Sequence, residues 1–455
     1  LFGVSLATLK AASVKEITAG GVTWKFKKAH ESGSFVNGDP WIVGPVEIIS
    51  ISNDLNDSSY TPREDQNGSM INPGTNAKQG YDGSFALTYD PDLNVGRPGG
   101  EPISEKNPLV VDTDSTLVSA VSWLYNSKDD KEPGCPRFDA ARKTPRPVLR
   151  SVGILTVLSK VPPKDAFRPP YVGSDKSIKY QASQIDYSKI PKLNAPGNGG
   201  EPSMEMLAKS FSRTWLDHVN GWVGDYFHPS ENMRNYGRDM GRLVGDGTLA
   251  LFIDPSPQGA NPEKDTLVIG LLQYGLDSTG IADNGGDWHA DGGIGLGRKW
   301  PILFAGALLN DKHMLDVGNW TTRFQENEQH FYVTEEEVEI TNGPTWAPDK
   351  RTPSEPYKTE DIGKADWGIR HAYRPVSDNA YIGSNYRGIN ASITPAFALA
   401  ALQMGLKDQW NYPAFFDYND RIMKVWQEDP KAIDPYNVPT PFLMNMWSEY
   451  RDKIE

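Results

Sequence analysis

Cysteine is nearly missing from the 455-residue chain: Cys135 stands alone, so no intrachain disulfide and no cysteine-based metal site can form. Long apolar runs are missing too. No stretch approaches the roughly 18 residues that a membrane-spanning helix needs, and hydrophobic residues make up only 38% of the chain. Basic residues are in deficit, 46 against 59 acidic, for a net charge of -13. That balance argues against a nucleic-acid partner, because neutralising phosphates takes a basic surface. What the chain has in quantity is rings and turn formers: 13 Trp, 19 Tyr and 16 Phe beside 43 Gly and 35 Pro. This excludes a coiled coil or a disordered acidic tail and indicates long, shaped loops carrying aromatic side chains, an arrangement common where sugars are bound. The length is enough for two or three units, or for one large toroid or barrel.

The chain opens on Leu1-Phe-Gly-Val-Ser-Leu-Ala-Thr-Leu9 followed by Lys10-Ala-Ala-Ser13. An apolar run before small residues reads as the remnant of an export signal, or as an ordinary buried first segment. On the first reading residues 1–19 are an extended leader and the protein is secreted or periplasmic.

Residues 20–165 alternate short β-type runs with turn clusters: Val22–Phe26, Trp41–Ile49, Leu117–Trp123 and Val152–Leu158. Residues 166–202 are rich in Pro and Gly, lack apolar periodicity and read as a surface-hugging connector. From 203 to 455 the period becomes helical. Met204, Leu207, Phe211, Trp215, Val219 and Trp222 recur at spacings of three and four. Further helices are expected over about 233–252, 266–281, 300–316, 390–405 and 414–427, with Pro301 and Pro395 in first turns and Gly245, Gly247, Gly280 and Gly405 near ends. Sequential helices separated by long polar loops give the expected fold: mainly α, an incomplete α/α toroid or barrel with β-rich N-terminal elements.

Three segments are dense in chemically able side chains: Asp225 to Arg238, Asn284 to Trp300, and Asp366 to Pro375 continuing to Tyr381, Tyr386 and Arg387. Three readings compete for the second. Gly293-Ile-Gly-Leu-Gly297 could cradle a phosphate at a helix start, but it lacks the P-loop pattern. Asp287-x-His289-x-Asp291 alternates metal-type ligands, but no second histidine cluster accompanies it. The preferred reading makes His289 a base or charge neutraliser on a glycine-hinged loop, with Trp288 and Trp300 flanking it as sugar platforms. In the third segment Arg370, His371, Tyr373 and Arg374 crowd one loop, which suits anion recognition. Plainer roles fit Arg234 and Arg238, four apart on a solvated helix face, and His218, at a core edge. His30, His313 and His330 lie in no motif.

Gly297-Arg-Lys-Trp-Pro-Ile-Leu-Phe-Ala-Gly306, the preceding Trp288-His-Ala-Asp-Gly-Gly293, the later Trp367-Gly-Ile-Arg-His371 and the terminal Trp410-Asn-Tyr-Pro-Ala-Phe-Phe-Asp-Tyr-Asn-Asp-Arg421 together resemble the toroidal uronate lyases. The family most resembled is polysaccharide lyase family 38, which includes alginate and glucuronan (cellouronate) lyases. The likeness runs over about 205–425 and departs from the pattern at Ile294, where a histidine would follow the double glycine. It implies β-elimination on a 1,4-linked polyuronate, an anionic polysaccharide, without a cofactor or metal. Asn235 and His289 would face the C6 carboxylate, His289 doubling as a candidate base; Tyr373 would be base or acid, and Arg370 would hold the anion. Trp288, Arg298, Tyr236, His371, Arg374, Tyr381, Tyr386 and Arg387 would line the substrate, with Tyr236, Tyr381 and Tyr386 as rivals for the phenol role. Two alternatives stay open: a glycoside hydrolase using Asp287 and Asp291, and a non-catalytic glycan binder.

Overall fold

The computed structural model describes residues 12–53, 68–75, 103–122, 137–139, 144–146, 149–218, 237–347, 353–372, 375–383, 385–429, 431–433 and 437–454. These fall into two compact units. The first takes the described residues within 1–185, 208–235 and 258–286; the second takes those within 186–207, 236–257 and 287–455.

The first unit is built on a sheet. Strands β1 (Ala12–Ala19), β2 (Val22–Ser34), β3 (Pro40–Val43), β4 (Val46–Asn53), β5 (Gly68–Ile71), β6 (Leu109–Val111), β7 (Ser115–Ser122) and β10 (Leu149–Leu158) form it, and β8 (Arg137–Asp139) pairs apart with β9 (Thr144–Arg146). The strand order is β5-β7-β10-β3-β2-β4-β6, with β1 on β2; β10 and β3 are parallel and the other pairs antiparallel. Val22, Trp24, Phe26, Ile42, Val46, Ile48, Leu117, Leu155 and Val157 share one apolar core. From Trp24 along β2, buried Trp24 and Phe26 alternate with exposed Lys25 and Lys27, which is the two-residue period of a half-buried strand. Gly153 makes room for the largest of these side chains, since a β-carbon there would stand 2.6 Å from the Trp24 ring.

Helix α3 (Pro262–Asp283) also belongs to the first unit, with buried residues on every side. Asn261 caps it, and Pro262 begins it. The segment expected to hug the surface is instead buried near its start. Arg168, Tyr171 and Lys176 are all enclosed. Arg168 donates to Asp277 of α3 at 2.9 and 2.5 Å and to Asp39 at 2.6 Å. Lys176 Nζ donates to the carbonyls of Pro170, Tyr171 and Val172. These two cations satisfy a prolyl backbone that has too few N–H groups to satisfy itself.

The second unit is helical but not a toroid of paired helices. Its longer members are α2 (Gly237–Ile253), α4 (Lys299–Leu309), α9 (Thr394–Gln403), α11 (Pro413–Glu428) and α12 (Pro441–Tyr450). Between them lie one- and two-turn pieces, α5 (Lys312–Leu315), α6 (Gln325–Glu328), α7 (Glu335–Thr341), α8 (Asn385–Ala391) and α10 (Lys407–Trp410), and an antiparallel pair of β11 (His330–Tyr332) with β12 (Ala365–Trp367). At 40% helix and 18% strand, with a large mixed sheet, the fold is mixed α and β, which overturns the expected mainly-α toroid. The physical reason is that helical periodicity marks an apolar face without fixing helix length. The expected helix at 300–316 breaks at Asn310, left-handed at φ 51°, and restarts with Asp311 as N-cap. The stripe that begins at Met204 leaves the helix after Phe211, so α1 is only Met204–Phe211; the Trp215 indole then turns back to donate to the Ser210 carbonyl. Gly245 lies inside α2 rather than at its end, because a β-carbon there would meet the Ala396 side chain of α9 at 2.6 Å.

Candidate functional site

The loop before α4 is shaped by glycines, and each of its charged side chains meets a partner. Gly292 and Gly297 take positive φ, and a β-carbon on Gly297 would press to 2.7 Å from the Gly241 backbone of α2. Close packing of two backbones, rather than a phosphate, accounts for that glycine. The N–H groups of Gly297 and Arg298, which would cradle an anion at the start of α4, donate to the buried Glu326 carboxylate at 2.7 and 2.9 Å. The chain fills its own anion site.

His289 Nδ1 faces Asp287 Oδ1 at 3.3 Å, and Arg323 grips Asp287 Oδ2 at 2.8 and 2.5 Å. Burial works against ionisation of Asp287, but the bonds from His289 and Arg323 outweigh it and hold the carboxyl below its ordinary range. Two residues on, Asp291 Oδ1 takes Arg370 Nε at 2.8 Å, which brings the second and third sequence segments together. The Ala290 N–H donates to Glu328 Oε2 at 2.7 Å and pins the loop between the two aspartates. Among the described residues no group of three or more His, Cys, Asp or Glu comes together in a way that could hold a metal ion.

His371 makes a second contact of the same kind. Its Nδ1 donates to Asp378 Oδ2 at 2.5 Å, its Nε2 lies 3.7 Å from Glu337 Oε1, and its ring stacks on Phe331 at 3.5 Å. Asp378 is enclosed, and burial pushes its carboxyl up to about 6 against the pull of His371.

Other residues singled out from sequence have structural work. Arg298 is 2% exposed and donates to the carbonyls of Ile294 and Leu296, closing its own loop. Arg387, 1% exposed, pairs with Asp366 and donates to the Asn379 carbonyl. Trp288 is 5% exposed with its ring stacked on Phe324, and Trp300 is fully enclosed, donating to Thr248. Neither indole is placed as a sugar platform. Tyr381 and Tyr386 are half-buried; Tyr381 is held by its N–H on Asn379 Oδ1. Asn235, Tyr236, Tyr373 and Arg374 lie outside the described residues.

Sequence reasoning gave no role to Arg323, Glu328, Glu337 or Asp378. Arg323 sits in no motif, and only the unbalanced Asp287-x-His289-x-Asp291 hinted that cations must arrive from elsewhere. The outcome for the third segment is balance rather than surplus: its described cations Arg370, His371 and Arg387 each meet a carboxylate. Comparison with protein-family models, with curated proteins and with solved structures finds no match to this chain.

Proposed function

We propose that the chain is a polysaccharide lyase that cleaves a 1,4-linked polyuronate, glucuronan or alginate, by β-elimination. The observation that carries this reading is the carboxylate-backed imidazole of His289, set beside the Asp291–Arg370 pair. A uronate C5–H is poorly acidic until the C6 carboxylate is neutralised; a base can then remove the proton while the C4–O4 bond breaks. Asp287 orients the His289 ring and stabilises its protonated form, the service a carboxylate gives to a general base. Arg370 is 38% exposed on the side chain and fixed in plane by Asp291, so a guanidinium stands ready for a substrate carboxylate. Proton delivery to the departing O4 falls to Tyr373, and help with the carboxylate to Asn235, the two residues the sequence offers for those roles. A polymer substrate of this size suits a secreted or periplasmic enzyme. No helix among the described residues is long and apolar enough to cross a membrane.

A glycoside hydrolase built on Asp287 and Asp291 fits less well. Its general acid must stay protonated near neutral pH, yet Asp287 is held ionised by Arg323 and His289. One assay separates the readings: incubation with glucuronan, alginate and oxidised cellulose, read by the ultraviolet absorbance of the unsaturated product and by reducing ends. Lyase action gives both signals, hydrolysis gives reducing ends alone, and a binding protein gives neither. Retention of full lyase activity by His289→Ala would refute the site while leaving the class standing.

A further inference from the structure

We infer that Gln329, supported by Gln325, is the positioning residue that holds Arg370 at a fixed distance from the loop carrying His289. The inference rests on the lyase reading, in which those two side chains act on one sugar ring.

Both glutamines are fully enclosed and stand one turn apart, Gln325 opening α6 and Gln329 closing it. Gln329 Nε2 donates to the Gly292 carbonyl at 2.8 Å and to the Ile369 carbonyl at 3.0 Å. Gly292 follows Asp291 and Ile369 precedes Arg370, so one amide spans the same two loops as the Asp291–Arg370 pair, from the buried side. With its arginine side chain 38% exposed, that ion pair does not by itself keep two loops in register. An enclosed amide with both hydrogens committed does, because breaking either bond leaves its own N–H bare in the interior.

The acceptor end is fixed as well. Gln329 Oε1 takes Gln325 Nε2 at 3.1 Å and the Trp367 indole N–H at 3.3 Å; an indole only donates, which settles which end of the amide is which. Gln325 Nε2 also reaches the Gly292 carbonyl at 2.8 Å and Asn390 Oδ1 at 3.0 Å, and its Oε1 accepts from the Gly295 N–H at 2.8 Å. Gly295 permits that approach, since a β-carbon there would stand 2.8 Å from the same Oε1. The His289 loop is thus held at Gly292 and Gly295. The Arg370 loop is held at Ile369 and at Gly368, whose N–H donates to the Gln329 carbonyl at 3.0 Å. A buried amide network in which each donor and acceptor is met specifies one arrangement, and both loops inherit it. Being enclosed, Gln329 acts through Arg370 and not on the substrate.

The test is a double-variant cycle in the full chain. Gln329→Met keeps the side chain's length and loses both donors. Turnover on the uronate polymer that the parent cleaves should fall about 10²-fold, the cost of a group displaced by about 1 Å. Arg370→Ala added to Gln329→Met should cost no more than about twofold further, because the arginine is already out of place. A residue with a purely structural role gives losses that multiply, and that result would overturn the proposal. Trp367→Phe is the control for general damage, since it removes a buried bond at the acceptor end and leaves both donors in place. Its urea midpoint should fall while its turnover stays near the parent's; turnover losses equal to those of Gln329→Met would also overturn the proposal. Should Gln329→Met not fold, hydrogen exchange in the parent decides: both Gln329 Nε2 hydrogens should exchange far more slowly than those of an exposed glutamine, and fast exchange would refute the bridge. A parent with no eliminating activity on any uronate would sink the lyase reading alone. The Arg370 Nε–H resonance would then decide the positioning, expected to move in Gln329→Met and refuting the inference if it stays.

Discussion

Arg370 binds a single oxygen of Asp291 twice, through Nε at 2.8 Å and Nη2 at 2.6 Å, and so ties the loop after β12 to the loop that carries His289. The pair is partly exposed, and exposed pairs contribute roughly 0–1 kcal/mol to stability. Arg370→Ala should therefore leave the denaturation midpoint almost unchanged. Loss of a charge-stabilising donor at a reacting carboxylate, by contrast, costs about 10²–10³ in turnover. Lyase activity should fall by about that factor, and Arg370→Lys should recover little, because a point charge cannot keep both bonds to Asp291 and also face a substrate. Paired urea melts and initial rates decide the matter; a large stability loss with unchanged turnover would make Arg370 a purely structural residue.

The Arg168–Asp277 pair calls for the opposite behaviour. Both side chains are enclosed, and removal of one partner strands a buried charge at a cost of about 3–5 kcal/mol. Asp277→Ala should destabilise the chain by that order, and Arg168→Met should be comparably severe because Asp39 and Asp277 would then face each other unpaired. The urea midpoint of each variant is the measurement. A shift within the error of the parent would mean that the residues relax apart and that water reaches them.

β2, β7, β10 and most longer helices were legible because alternation and the three-to-four spacing report which face is buried, and Pro395 lies in the first turn of α9 as read; the run Trp41–Ile49, by contrast, is two strands, β3 and β4, parted at Gly44-Pro45. Chain breaks were less legible. Asn310 and Asp311 carry stop and start chemistry that a continuous apolar stripe conceals, and the paired strands β11 and β12, three residues each, are too short for a two-residue period to show. At the site, the loops that matter were visible by their density of functional side chains. Their pairing was not, since Arg323 and Asp287 meet across 36 positions and Arg370 and Asp291 across 79. Buried arginines such as Arg298 and Arg387 look like ligand-binding cations in one dimension, because sequence does not show whether a guanidinium points at backbone carbonyls or at solvent.

Gly368 is tightly placed against the second histidine contact. A β-carbon on it would lie 2.1 Å from Asp378 Oδ1 and 2.6 Å from Oδ2, with the carboxylate already bonded to His371. Gly368→Ala should push Asp378 off His371 and destabilise the chain by about 1–3 kcal/mol, the usual cost of overpacking. The His371 imidazole resonances report the contact directly. The Nδ1 chemical shift should leave its hydrogen-bonded position in Gly368→Ala, and an unchanged shift would show that Asp378 follows the methyl without letting go.

Two buried groups push stability in opposite directions with pH. Burial raises the Asp246 carboxyl to about 6 against the pull of Arg242 and the Thr440 hydroxyl. A raised folded pKa gives stability that is complete below the unfolded value and is lost as pH climbs from about 4 to 6. Asp246→Asn, which stays neutral, should remove that loss and gain on the order of 2–3 kcal/mol relative to the parent above pH 6. Burial drives the His330 imidazole down to about 3, against its bond to the Glu326 carbonyl and the attraction of Asp366, with Arg387 adding to the fall. A lowered folded pKa gives stability that is complete above about 6.5 and is lost as pH falls toward 3. His330→Asn keeps a donor near Nδ1 and cannot charge, so it should flatten the acid limb and leave the limb above pH 7 parallel to the parent. Urea unfolding of the three proteins from pH 3 to 8 measures both slopes. An acid limb equally steep in His330→Asn would assign acid unfolding to the carboxylates instead.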